Sequence, residues 1–442
     1  MNKHQQSGMT TLLITSMLLI VALLFSLASY KNLFYQIKRT QNEVLARQAH
    51  WAAEGGLECG YSKIKQEMNL SNITKPSYFI ESCDNTNLTV SLDKIDTGKY
   101  ELLAESKINI NHAVKNIKKT IVAGGVKSSG VIKSSADLYF NGDYVFFPDP
   151  GNFNPSNDDN STNYWDCVLL RYRENVFLHD DGSIDTGFGN ADLEHSYPPY
   201  SDFFKDGYNH KCSSSAIANY RTPLKTKKPS LFESDIQKEP MMDLFKETFG
   251  VSRDDWMSVR SRSEFVEVDP NNNCGLEISK VVNKDKRHVW VNGNCILDSA
   301  GLILVQEKAL TLNGVFLLVH NGIFSLNGAS ALNALVYHFN NDYDPVINGV
   351  NVWNSTSEKD KVLSDDMYKP TEGTLTATEI QNKVVFYMYG SFVPSGGFIL
   401  DTPEYVSYFN AGGSFSFDGE LINDLLAPFG KPRWVQGSWH DF

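Results

Sequence analysis

Residues Met9 to Tyr30, MTTLLITSMLLIVALLFSLASY, carry no charged side chain. As a helix rising about 1.5 Å per residue, this run spans roughly 33 Å, enough to cross the hydrocarbon core of a bilayer. The residues before it, MNKHQQSG, contain Lys3 and His4 and end in Gly8. The positive-inside tendency would hold them on the cytoplasmic side, although Lys31, Lys38 and Arg39 follow the apolar run. A secretory signal has a shorter apolar core with its small-residue cleavage site behind it, whereas here Ser7-Gly8 stands in front. Cleavage is therefore expected at the front. From Lys31 to about Met68 there is no proline, and Leu33, Phe34, Ile37, Val44, Leu45, Ala49, Ala52, Ala53 and Leu57 recur at mostly helical spacing. One long helix is expected to leave the membrane, with a break at Gly55-Gly56.

The rest of the chain sets the class. A length of 442 residues exceeds one ordinary domain, and a hydrophobic content of 41 % with 12 % aromatics is ample for packed cores. The formal charge of -12 argues against a nucleic-acid partner, because phosphate binding needs a basic face. The local patch Lys225, Lys227 and Lys228 reads as solvated surface. Cys59, Cys83, Cys167, Cys212, Cys274 and Cys295 show no CxxC or Cys/His spacing for zinc. In an exported chain they are disulfide candidates, and short loop closure favours Cys59 with Cys83, Cys167 with Cys212 and Cys274 with Cys295 among the connectivities open to them.

The polar leader ending in Gly8, the apolar run behind it and the later Ala49-His50-Trp51-Ala52-Ala53-Glu54-Gly55-Gly56-Leu57 resemble the N-terminal region of PilX-type type IV minor pilins, in which an A-x-x-AAE-x-x-L pattern follows the membrane segment. The resemblance covers about the first 60 residues. It implies that prepilin peptidase cuts after Gly8 and methylates Met9, and that Leu12, Leu13, Leu18, Leu19, Leu23 and Leu24 pack into a filament core or wait in the inner membrane. Ala49, Ala52, Ala53, Glu54 and Leu57 carry the family motif. Major pilins place Glu at the fifth mature position; Leu13 stands there instead. PilX-type minor pilins and the K-type pseudopilins of type II secretion also tend to lack that Glu, which fits a cap or initiation role.

Alternating runs at Asn87 to Leu92, Lys99 to Ala104 and Ile108 to Ile121 read as an antiparallel sheet on the helix. After Gly124 come Asn141-Gly142, Asn292-Gly293, Asn313-Gly314, Asn321-Gly322, Asn327-Gly328, Asn348-Gly349 and Asp418-Gly419. Two intervals, Asn292 to Asn313 and Asn327 to Asn348, are both 21 residues, which suits β-helix rungs built of units such as Leu310-Thr311-Leu312-Asn313-Gly314. Asn-Gly hairpins predict the same residues. The β-helix is the favoured reading, with central rungs over Val289 to Tyr337 and the last ones over Lys383 to Leu421. Residues Tyr144 to Lys286 lack the repeat, with helices expected at Pro240 to Phe249 and Arg253 to Phe265. The aromatic end, Trp434 to Phe442, is expected to dock on the body.

No HExxH, GxSxG, Walker or dinucleotide motif occurs, so no enzyme is expected and no cofactor is implied. The loop from Asp149 through Asp158 and Asp159 is a calcium candidate by its oxygen side chains, although such loops are more often turns that bond their own backbone. Single histidines such as His288 and His320 read as packed or exposed side chains rather than ligands.

The expected fold is α+β, mostly β: leader 1–8, membrane helix 9–30, pilin-like helix and sheet 31–124, a β-rich body from 125–143 and 287–442, and an insertion or second domain at 144–286. The expected function is priming or capping a type IV pilus. The partners would be other major and minor pilins, the inner-membrane assembly machinery and prepilin peptidase, in a Gram-negative bacterium with the body periplasmic and then at the pilus tip. The alternatives are a tip adhesin binding a surface or host ligand through the 144–286 insertion, and a K-like minor pseudopilin.

Overall fold

The structure is a computed structural model that describes residues 3–66, 79, 82–96, 99–108, 113–122, 130–154, 162–179, 187–190, 209–213, 232–270, 273–364, 376–390, 392–430, 432–435, 437–438 and 440–441. It divides into two compact units, Met1–Val122 with Pro432–Phe442, and Ala123–Lys431. This boundary differs from the expected one at both ends of the body.

The first unit is one helix on one sheet. Helix α1, Lys3–Gln66, is continuous over 64 residues, about 96 Å. Strands β1 (Leu88–Asp96), β2 (Lys99–Ile108) and β3 (Ala113–Val122) form an antiparallel meander. Their alternation turns Leu88, Val90, Leu92, Leu102, Ala104, Ile117 and Ile121 inward, while Ala49, Ala53, Leu57 and Ile64 are buried on α1. The expected break at Gly55-Gly56 does not occur. Gly56 is a contact point, where an added Cβ would lie 2.8 Å from Leu88 Cδ1, and Gly60 another, 3.0 Å from Val90 Cγ1. The carboxyl end is docked on this sheet: Arg433–Trp434 and His440–Asp441 extend it, pairing antiparallel with β3.

The second unit is a parallel solenoid with three faces. On the first face eight parallel strands stack in the order 236–238, 170–172, 132–134, 398–401, 334–339, 315–320, 288–292 and 265–268. The second face stacks strands 176–179, 137–141, 406–410, 384–389, 324–327 and 295–297. Strands 187–190, 143–147, 413–416, 392–394 and 330–332 line the third face, continued by helices Ser299–Thr311 and Cys274–Val281.

Most Asn-Gly pairs are corners of this solenoid. Asn292-Gly293 and Asn321-Gly322 turn from the first face to the second, and an added Cβ on Gly322 would lie 2.2 Å from the Gly293 carbonyl carbon. Asn141-Gly142 and Asn327-Gly328 turn from the second to the third. Asn348-Gly349 is a true hairpin between Val346–Ile347 and Val350–Asn351. Asp418 instead caps helix Gly419–Leu426, accepting from Leu421 N–H at 3.0 Å. The unit Leu310 to Gly314 is not a rung strand but a helix end and corner, because its residues continue the helical run from Ser299.

The stretch 144–286 is not a separate domain. It supplies first-face strands 170–172, 236–238 and 265–268, and the loop read as an acidic ligand cluster begins as a hairpin, Asp149–Asn154 against Thr162–Val168. Residues 239–262 then run back along the stack as a strap, with helices Leu244–Phe249 and Trp256–Arg260; Phe265 opens a strand rather than closing a helix. Phe245 packs on Phe339 at 4.7 Å between ring centroids, Phe249 on Tyr337 at 5.6 Å and Trp256 on Trp290 at 6.2 Å. The first face is thus buried on both sides, which is why Val315–His320 is apolar without alternation.

Gly142 has φ +121° and a Cβ there would lie 2.4 Å from Gly412 N. Gly142→Ala is expected to destabilise the body by about 3 kcal/mol, read as a lower thermal unfolding midpoint.

His288, His320 and His338 are buried, and burial pushes each down to about 4. The unfolded chain, with histidine near 6.5, binds more protons between pH 6.5 and 4, so each histidine lowers stability as pH falls through that window. Asp149 and Asp418, pushed up to about 6 by burial, act in the opposite sense. His338→Gln is expected to reduce the proton uptake on unfolding by about one in that window, measured as a flatter pH dependence of urea unfolding.

Candidate functional site

The candidate site is α1. An 18-residue stretch within Met9–Lys65 is apolar enough to cross a membrane, and none of it is buried in the fold. Met9 is 76 % exposed, and Leu12, Leu13, Leu18, Leu19, Leu23 and Leu24 are all more than half exposed. Thr15 and Ser16 return their hydroxyls to the carbonyls of Thr11, Leu12 and Leu13, so these two polar side chains are satisfied within the helix. Gly8 lies within α1, one residue before Met9.

Beyond the apolar segment the helix is buried against the sheet. The motif residues Ala49, Ala53 and Leu57 recur every four positions and are buried, whereas Ala52 and Glu54 are half-buried at the margin. Small residues at 49, 53, 56 and 60 let the helix axis approach the sheet. Cys59 bonds to Cys83, tying α1 to the segment before β1. Cys167 pairs with Cys212 and Cys274 with Cys295 in the body.

Sequence reasoning missed the clasp that closes this unit. Trp434 stacks on Tyr61 of α1 at 4.2 Å, Tyr61 Oη donates to Pro432 O at 3.1 Å, and Lys119 Nζ lies 4.2 Å from the Trp434 ring centroid. The aromatic richness of the carboxyl end was the sole signal, and it carries no information about which surface receives it.

In the body the strap is latched by charge. Arg171 donates to both Glu239 and Glu247, and Arg253 donates to Asp401 and to the carbonyl of Asn340. Lys133, buried beside Arg171, is pushed down to about 8, first by burial and then by that neighbouring cation. These groups form a structural ion network, with partners on every side.

Of the calcium candidates, Asp149 accepts from Gly151 N–H at 3.0 Å, the self-bonded turn; Asp158 and Asp159 lie outside the described residues, as do Lys225, Lys227 and Lys228. Among the described residues no group of three His, Cys, Asp or Glu side chains is placed to hold a metal ion. Comparison with known proteins gives no match: no family model fits the chain, and no curated protein or solved structure is significantly similar.

Ala53 is fully buried between α1 and the sheet, whereas Glu58 is exposed. Ala53→Glu is expected to destabilise the first unit by about 3 kcal/mol and Glu58→Ala by less than about 0.5 kcal/mol, compared by limited proteolysis of the oxidised protein.

Proposed function

We propose that the chain is a minor pilin-like envelope protein of PilX type, inserted by α1 and assembled as a priming or tip component of a type IV pilus. The observation that carries this reading is the single helix whose uncharged segment begins directly after Gly8, is wholly exposed, and continues into a half buried on an antiparallel sheet. A plain secretory signal has no need of that continuity. The exposed leucines are left for a bilayer or for neighbouring helices.

Leu13 supports a terminal place. A carboxylate at that depth would need a cationic partner from an adjoining subunit, and a leucine does not. The body, 309 residues between Ala123 and Lys431, is large for a unit repeated along a tightly packed shaft. Three disulfides fit an oxidising compartment such as the periplasm.

The test is intact mass and amino-terminal sequencing of the protein from cells with and without prepilin peptidase. Loss of Met1 to Gly8 and a methylated Met9 are expected only with the peptidase, and Gly8→Val is expected to abolish both. An uncut terminus, or a cut behind Tyr30, would sink the reading.

A further inference from the structure

We propose that Asn348-Gly349, at the tip of the hairpin between Val346–Ile347 and Val350–Asn351, is a site of spontaneous covalent modification in the folded protein, where the asparagine deamidates through a cyclic imide. The pair is one of six Asn-Gly pairs in the body, and the other five do not share its state. The inference uses the body alone and does not rest on the role of α1.

The reaction needs two groups that are free to meet. The glycine main-chain nitrogen loses its proton to water or hydroxide and attacks Cγ of the asparagine, forming the C–N bond of a five-membered imide. The Cγ–Nδ2 bond breaks and ammonia leaves, carrying a proton from solvent. Water then opens the ring, at the side-chain carbonyl to give aspartate or at the main-chain carbonyl to give isoaspartate. A glycine N–H or an asparagine amide held in a hydrogen bond must first be released, so packing decides which pair reacts.

Five pairs are locked into the walls and corners of the solenoid. Gly293 N–H donates to His320 O at 2.8 Å, Gly314 N–H to Ala309 O at 2.8 Å, Gly322 N–H to Asn340 Oδ1 at 3.1 Å and Gly328 N–H to Tyr389 O at 3.0 Å. At the fifth, Gly142 is buried against Gly412, and the Asn141 amide donates to Asn410 at 3.1 Å. The amides of Asn292 and Asn327 are tied as well, to Glu267 and Asp269 and to Glu358. Asn348-Gly349 is the opposite case. Both residues are exposed, and nothing lies within 4 Å of where a Gly349 Cβ would stand. Among the described residues neither the Asn348 amide nor the Gly349 N–H has a hydrogen-bond partner.

The product changes the surface beside it. Ile347 and Val350, which flank the tip, are both more than half exposed and line an open groove of about 480 Å³ with Asn294, Tyr343, Asn351 and Asn354. Deamidation sets a carboxylate next to this groove. The isoaspartyl form also adds a main-chain carbon to a two-residue loop whose length fixes the pairing of Ile347 with Val350.

The test follows the detergent-solubilised full chain through incubation at neutral and mildly alkaline pH, by peptide mapping that resolves asparagine, aspartate and isoaspartate at each pair. Asn348 is expected to convert first, about tenfold or more faster than any of the other five, because each of those must break at least one hydrogen bond before reacting. Its rate is expected to rise with pH, since the attack consumes the amide proton. In the guanidinium-unfolded chain the six rates are expected to draw together. Asn348→Asp begins in the acidic state and is expected to show no early charge shift on ion exchange. Another pair converting first in the folded chain, or equal rates at all six, overturns the proposal. An Asn348 that stays intact when folded but converts when unfolded, or a lead that unfolding leaves undiminished, overturns it equally.

Discussion

The body depends on a seam. Residues 398–401, 406–410 and 413–416 pair in parallel with residues 132–134, 137–141 and 143–147, one strand pair on each face of the solenoid. Within the seam Phe409 stacks on Phe140 at 4.7 Å, and Asn141 donates its amide to Asn410 at 3.1 Å. The chain enters the stack in the middle, builds toward one end through residue 238, and returns by the strap to the other end before climbing back to where it began. Partners across the seam are some 265 residues apart, as for Ser135 and Leu400. Such pairing is slow to find, because loop closure must precede any gain from contact.

That path explains the strap. Its segment near strands 132–134, 170–172 and 398–401 crosses polar ground, where Lys133, Arg171 and Asp401 point outward and require ionic partners from Glu239, Glu247 and Arg253. Between and beyond these ionic contacts Phe249 meets Phe316 and Tyr337, and Trp256 meets Trp290. One polypeptide thus interleaves ionic and aromatic contacts to match the wall beneath it. Buried ion pairs of this kind add little net stability against their desolvation, but removing one partner is costly, so they fix the path of the strap more than they strengthen it.

Much of the architecture was legible because it rests on local rules. The uncharged run, the alternating strands and the Asn-Gly corners each reflect a backbone requirement met within a few residues, and short loop closure selects the disulfide pairs present in the structure. What was not legible depends on partners distant in sequence. Gly56 reads as a helix break until Leu88 is known to lie against it. Residues 144–286 read as an insertion because their strands are short and widely spaced, and their rung neighbours at 132–134, 137–141 and 288–292 cannot be inferred from periodicity. Trp290 looks like an ordinary strand residue; the packing of Trp256 against it comes only from the strap.

The sheet of the first unit closes across the place where the chain leaves for the second. Val122, the last residue of β3, lies opposite Arg433, the first of the returning strand, so this ladder continues whatever chain is spliced between them. The cost of closing such a splice grows only with the logarithm of its length. Natural selection is therefore free to exchange the spliced segment without redesigning the helix and the sheet that it interrupts.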